Sequence, residues 1–357
     1  MVWTVERILR GARKLGASDV HLVHGIAPVA RIHGEIQFIQ GEPLDEPTLR
    51  KLLEEIVPAK QRAIFEDQWR LCFSRHFEGV GRCRTSVYYH GGVPEMAIRL
   101  CETVIRPAAE LGLPPVIDEL TRVPTGLIIV TGPTGVGKTT TLNYMIDVIN
   151  QNRRVKIVTI EDPVEFVHEN NHSIVIQQEV QTDVKSFREA LIHVLRQDPD
   201  VVVIGEMRDL ETIETALTAA ETGHLVLATL HTPDAVQTLQ RVYSVFPAEQ
   251  QNAIIVQLSS VLRAVVAQKL LPRADGTGRV LACEVLVATA AVRTHLRESK
   301  EHLCYNEMQT GRKHQMQTMD NALLELYQRG EISYDIAITH ARDPNHFRHR
   351  TGEPPAN

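Results

Sequence analysis

The run Gly132, Pro133, Thr134, Gly135, Val136, Gly137, Lys138, Thr139, Thr140 contains the residue types that hold a polyphosphate. Glycines let successive backbone N–H groups turn inward around a phosphate, and a helix starting directly afterwards sets the positive end of its dipole beneath it. Lys138 is spaced to reach the β and γ phosphates, and Thr139 to offer a hydroxyl to Mg²⁺. Apolar residues 127–130 precede the loop, and Leu142, Met145, Ile146 and Ile149 follow it at helical spacing. Strand, loop and helix in that order point to ATP with Mg²⁺ as the bound cofactors.

Hydrolysis also needs carboxylates that orient a water and organise the metal shell. Glu161 and Asp162 come directly after the apolar run 155–160, and Glu206 comes after 201–204 and Gly205. In a doubly wound sheet the carboxyl ends of the strands line the ligand crevice, so these groups should meet at the edge that carries the phosphate loop. Thr139, Glu161 and Glu206 are then the expected metal-shell residues. A lone acid after a strand also serves as a helix cap or loop charge; the apolar strand and Gly205 favour the functional reading for Glu206. His231 falls at the same edge, where an imidazole can sense a terminal phosphate, whereas His224 precedes the same strand and belongs at its other end. Arg82 and Arg84 share one face of a strand by alternation, and Arg99 lies on another. They read either as solvated strand arginines or as guanidinium groups offered to a γ-phosphate held by another subunit.

Two domains are expected to position these residues. Val5, Ile8, Leu9, Ala12 and Leu15 recur at helical spacing, and alternating runs near 19–23 and 29–33 follow. A polar helix over 46–56 and strands near 71–74, 82–89 and 95–100 complete a small α+β domain over 1–103. Pro107, Gly112, Pro114 and Pro115 mark 104–115 as a linker. From Gly126 fully apolar strands alternate with helices, the pattern of a parallel sheet covered on both faces. Strands are expected at 127–130, 155–160, 201–204 and 225–230, and helices at 210–222, 248–266, 321–328 and 333–341. The second domain is taken as 116–343 and the remainder, 344–357, as a disordered tail.

The 357 residues carry 38 Lys plus Arg against 44 Asp plus Glu, a net charge of −6 and the wrong sign for a dominant phosphate-backbone partner. No nucleic acid partner is expected. Cys72, Cys83, Cys101, Cys283 and Cys304 show no paired ligand spacing and read as reduced thiols without zinc. The N-terminus has no apolar signal core, and no apolar run approaches the eighteen or so residues of a membrane span. A cytoplasmic chain that meets a membrane only through partners is the expectation.

The loop 132–139, Ile160-Glu-Asp-Pro-Val-Glu165, Asp198-Pro-Asp-Val-Val-Val-Ile-Gly-Glu-Met-Arg-Asp209 and Ala220-Glu-Thr-Gly-His-Leu-Val-Leu-Ala-Thr-Leu-His-Thr232 resemble, in order, the Walker A, Asp box, atypical Walker B and His box of the secretion ATPase superfamily. Ser18-Asp-Val-His-Leu22 and Arg31-Ile-His-Gly34 resemble its PAS-like N-terminal domain. Within the superfamily the PilT-type twitching-motility ATPases, which power type IV pilus retraction, are the most similar, partly through Gly311-Arg-Lys-His-Gln-Met-Gln-Thr-Met-Asp320 and the absence of a tetracysteine zinc element. The resemblance implies an α/β fold, a RecA-like P-loop NTPase domain beside the PAS-like domain, assembled as a homohexamer on an inner-membrane pilus platform protein. It also implies that Glu206 is the catalytic glutamate, Glu161 a second catalytic acid, and His224 and His231 nucleotide-sensing or interface residues, with Asp162 at the nucleotide and Arg82, Arg84 and Arg99 completing the site. Gly91 stands where many relatives carry another arginine. Ala291-Val-Arg-Thr-His-Leu-Arg-Glu298 resembles the family's retraction motif with a changed centre. A pilus-assembly or secretion motor, a DNA-translocating motor and a non-hydrolysing ring subunit are the competing readings.

Overall fold

The computed structural model describes residues 3–32 and 34–351. The chain forms two units: one runs up to Val104 and takes in Asp162–Val167, and the other comprises Ile105–Glu161 and the chain from His168 onward.

In the first unit α1 (Val5–Lys14) buries Val5, Ile8, Leu9 and Ala12 of the expected stripe, Leu15 falls at the C-cap and is exposed, and Thr4 caps the start. Strands β1 (Ala17–Leu22), β2 (Val29–Ile32) and β3 (Glu35–Phe38) follow, then helices α2 (Glu46–Ile56) and α3 (Ala59–Gln68), and strands β4 (Arg70–Phe77), β5 (Gly81–His90) and β6 (Val93–Leu100). The strands make one antiparallel sheet in the order β3-β2-β1-β6-β5-β4. Leu9, Leu22, Leu49, Leu52, Phe73 and Met96 pack in its core. β3 and α3 have no counterpart in the sequence reading: all four residues of β3 are exposed, and α3 buries only Gln61 and Phe65, so neither shows a clear period.

The second unit opens with α4 (Ala108–Leu111) and α5 (Val116–Leu120). Leu113, Val116, Ile117 and Leu120 are buried against Ile128, Leu142 and Met145. The stretch expected as a linker is therefore packed on this unit, its prolines starting short helices rather than spacing domains. Then come β7 (Gly126–Thr131), α6 (Lys138–Asn152), β8 (Lys156–Glu161), β9 (Ile174–Glu179), α7 (Phe187–Val194), β10 (Val201–Ile204), α8 (Leu210–Glu221), β11 (Leu225–Thr229), α9 (Ala235–Ser244), α10 (Ala248–Val261), β12 (Leu262–Pro272) and β13 (Arg279–Val287). The sheet runs β13-β12-β7-β11-β10-β8-β9, parallel except for β13. Leu127 and Ile129 face one core while Ile128 and Val130 face another on the opposite side, which is why β7 reads as an unbroken apolar run. The helix expected over 248–266 stops at Val261. From Leu262 the chain is held between β7 and β13, a pairing that overrides local helix preference.

Helices α11 (Ala290–Arg297), α12 (Cys304–Thr310), α13 (Met319–Gln328), α14 (Tyr334–His340) and α15 (Pro344–Thr351) close the chain. The expected disordered tail is corrected over 344–351: Phe347, 1% exposed, packs with Leu323, Ile332 and Ala337. The rest of that tail lies outside the described residues. The five cysteines are free, and burial pushes the thiols of Cys83, Cys283 and Cys304 up to about 12, where they are inert.

Candidate functional site

β7 delivers the chain into the phosphate loop at a position only glycine can hold. Gly132 has φ 135°, and a Cβ there would lie 2.5 Å from the Gln268 carbonyl oxygen on β12. Gly137 then starts α6. Lys138, 8% exposed, donates from Nζ to the carbonyls of Gly132 at 2.7 Å and Pro133 at 2.9 Å. Burial lowers its pKa, and the charge of Glu206 opposes that shift. Pro133, Thr134, Gly135, Thr139 and Thr140 are exposed, while Val136 is buried.

Lys138 Nζ also lies 3.2 Å from His231 Nδ1. An ammonium can only donate, so Nδ1 accepts and the ring carries its proton on Nε2. That nitrogen donates to Glu206 Oε1 at 2.9 Å, and Arg208 Nη2 pairs with Glu206 Oε2 at 2.8 Å. A continuous polar chain therefore runs Lys138, His231, Glu206, Arg208. Burial by itself raises the Glu206 carboxyl, but hydrogen bonds from Arg208 and His231 outweigh it and hold the pKa below its ordinary 4.5. The sign follows: the stabilisation from ionised Glu206 is complete above pH 4.5 and is lost as pH falls below it. Thermal melts should show wild type more stable than Glu206→Gln at pH 7, with the gap narrowing below pH 4.5; a gap constant with pH refutes the linkage.

Glu161 ends β8, 7% exposed, and its Oε1 accepts from Thr159 Oγ1 at 2.6 Å and Gln177 Nε2 at 3.0 Å. The neighbouring strand tip carries Glu206, reached through Gly205, whose N–H donates to the Ile160 carbonyl at 2.8 Å. A Cβ on Gly205 would sit 3.1 Å from that oxygen and 3.4 Å from Glu161 Cα, so glycine is what lets the two acidic tips run side by side. Asp162 follows, exposed. The loop bearing His231 is fixed from below, because Thr131 Oγ1 donates to the Thr232 carbonyl at 2.8 Å.

The donor set fits Mg²⁺. Among the described residues no three His, Cys, Asp or Glu cluster as a metal cage. Mg²⁺ usually takes one or two carboxylates, a hydroxyl, waters and substrate phosphates rather than an all-protein shell. Thr139, exposed in the first turn of α6, and the two acidic strand tips provide such a set.

Four of the expected site residues lie elsewhere or have other partners. His224 sits at the opposite edge of the sheet from the loop: its carbonyl accepts from Gly126 N–H where β7 begins, and its Nδ1 lies 2.9 Å from the Ala219 carbonyl. Its place as a nucleotide contact is corrected within this chain, since a residue before β11 and one after it occupy opposite strand ends. In the first unit Arg82 Nε donates to the Val164 carbonyl at 2.6 Å and Arg84 Nη1 to Glu165 Oε1 at 3.0 Å, as their shared face predicts. Arg99 instead pairs with Asp19 at 3.0 Å.

Arg208 and Gln177 were not singled out from sequence. Arg208 stands inside the quoted 198–209 motif, two residues beyond Glu206, while Gln177 comes from an edge strand with no apolar signature. Arg279 was missed too; its Nη1 reaches the Gly135 carbonyl at 3.4 Å. A cavity of about 300 Å³ opens there, lined by Gly137, Thr140, Leu111, Leu270, Arg279 and Leu281 among others.

The family described as type II/IV secretion system protein matches residues 113–353. The type IV pilus retraction ATPase PilT of Pseudomonas aeruginosa is 42% identical over 343 residues, 96% of this chain and 99% of that protein. The type IV pilus ATPase PilU of the same organism is 38% identical, over 96% of this chain and 90% of its own. A crystal structure of the pilus retraction motor PilT with bound ADP matches at a TM-score of 0.90 and 44% identity, covering 96% of this chain and 98% of that one. That match spans both the N-terminal α+β domain and the RecA-like core. With a phosphate loop backed by two acidic strand tips and likeness over nearly its whole length, the chain belongs to the type II/IV secretion system protein family.

Proposed function

We propose that the chain is an ATP-hydrolysing motor subunit that powers type IV pilus retraction and twitching motility. The observation that carries this reading is the polar chain from Lys138 through His231 to Glu206, which links the group that meets a terminal phosphate to the carboxylate that aims a water. The backbone N–H groups of the loop from Thr134 to Gly137 and the start of α6 take the phosphates. The nucleoside extends toward the cavity beside Thr140 and Arg279. When bound, Mg²⁺ neutralises charge on the β and γ phosphates, held from Thr139 and the Glu161 and Glu206 side. Glu206, ionised at neutral pH, orients water, while Glu161 is fixed by Thr159 and Gln177 as the second acid.

A triphosphate also competes for the Lys138 donors now given to the Gly132 and Pro133 carbonyls. Lys138 shifting toward phosphate alters its contact with His231, and only such a differential contact can shift a conformational equilibrium. Arg82, Arg84 and Arg99 are offered to the γ-phosphate held by another subunit of the ring, the arginine-finger use that charge on a transferring phosphate rewards. Likeness to PilT supports a homohexamer at the cytoplasmic face of the inner membrane, acting on a pilus platform protein; among the described residues no helix is long and apolar enough to cross a membrane.

The deciding experiment is deletion of the gene, scored for pilus number and surface spreading. Cells that keep or gain pili and lose twitching are expected. Cells without pili would assign the motor to assembly instead, and stimulation of ATP turnover by DNA would revive a translocase.

A further inference from the structure

Glu284, in the middle of β13, is a carboxylate 1% exposed in a strand that is otherwise apolar around it. A charge so buried is costly unless its hydrogen bonds are made. Its partners are two backbone amides at two helix starts. Oε1 accepts from Ala235 N–H at 2.8 Å, the first residue of α9, and Oε2 accepts from Met319 N–H at 3.4 Å, the first residue of α13. Each helix already has its own side-chain cap, Asp234 and Thr318, so Glu284 takes amides that those caps leave over. Both helix dipoles point their positive ends at it.

What lies on either side of this carboxylate gives it a role. α9 begins three residues after Thr232, and the short bridge that enters it carries His231. Within the bridge, Leu230 N–H donates to the Val130 carbonyl at 3.2 Å, Thr131 Oγ1 donates to the Thr232 carbonyl, and Thr232 Oγ1 lies 2.6 Å from Thr238 Oγ1 on α9. On the other side, α13 continues the connection. Asp320, next to Met319, accepts from the amides of Arg342 at 2.6 Å and Asp343 at 3.2 Å, where α15 begins, and the Arg342 guanidinium lies 4.0 Å over the Tyr305 ring of α12.

We propose that Glu284 is a positioning residue that ties the His231 bridge to the C-terminal helices, so that the shift of His231 on triphosphate binding is passed through α9 to α13. The proposal rests on the ATPase reading given above. The coupling is an exchange of hydrogen-bond geometry at one carboxylate that serves two rigid elements, and by linkage the C-terminal helices in turn bias the bridge. Glutamine in its place keeps one carbonyl acceptor but turns an NH₂ donor toward the other amide, so one helix start loses its partner.

The test uses the full-length chain and a non-hydrolysable ATP analogue with Mg²⁺, read by hydrogen exchange and by steady-state turnover. In wild type, the analogue is expected to change exchange in the first turn of α13. In Glu284→Gln, analogue affinity should stay within about twofold of wild type, turnover should fall by about tenfold or more because misplacement by an ångström is enough for such a loss, and the α13 response should vanish. Wild-type turnover in Glu284→Gln overturns the proposal, as does a parallel loss of affinity, turnover and melting temperature, which is what a merely structural group would give. Should Glu284→Gln fail to fold, the wild-type measurement decides alone: analogue bound with no change in α13 sinks the tie while leaving the ATPase reading intact, and no analogue bound sinks both.

Discussion

Lys138→Ala should bind ATP more weakly by about 10- to 100-fold, because a hydrogen bond to a charged group contributes about 1.5–3 kcal/mol and each 1.4 kcal/mol is a factor of ten. Three acceptors meet Nζ in the structure, the Gly132 and Pro133 carbonyls and His231 Nδ1, so the ammonium is held at the mouth of the loop. Alanine removes the charge and leaves the loop backbone in place, since its path is set by Gly132 and Gly137 rather than by the lysine. The loss should therefore appear in an equilibrium titration with a fluorescent ATP analogue and Mg²⁺ and be nearly absent from the melting temperature. A variant that titrates like wild type would remove the loop from the site.

Glu206→Gln should do the reverse, keeping ATP affinity while steady-state phosphate release falls by about 10²- to 10⁴-fold, the usual share of a positioned acid or base. The amide matches the carboxylate in shape and can still accept from His231, but it lacks the charge that Arg208 now pairs with and that would polarise a water. Affinity survives because removing a negative charge beside a triphosphate takes away repulsion rather than attraction. Unchanged turnover would pass the catalytic assignment to Glu161.

The same residues explain why parts of the molecule were legible in sequence. β7, β8, β10 and β11 sit between two packed faces, so their central positions are almost all apolar and the strands announce themselves. Glu161 and Glu206 stand out because a charge directly after such a run lies at a known edge. β9 is an edge strand with Ile174 exposed, and nothing in its composition marks Gln177 as the partner of Glu161. β12 merged with α10 in the reading, because apolar residues of both continue without a turn between them and only pairing with β7 and β13 separates them. Arg208 was hidden by proximity: its role depends on the bend after Gly205, which has no period to read. Glu284 has no local signature, because its two partners are amides at helix starts 49 and 35 residues away in the chain. The last helix has one buried apolar anchor, Phe347, too little for periodicity to detect.

The Gly132 and Pro133 carbonyls that hold Lys138 also bear on how a motor empties its site. As ADP departs, those oxygens and His231 recapture the ammonium, so the vacated loop is not left with an uncompensated cation in a half-closed, poorly solvated spot. Lowering the energy of the empty form loosens the grip on spent nucleotide, and cycling speed gains at the expense of tight retention.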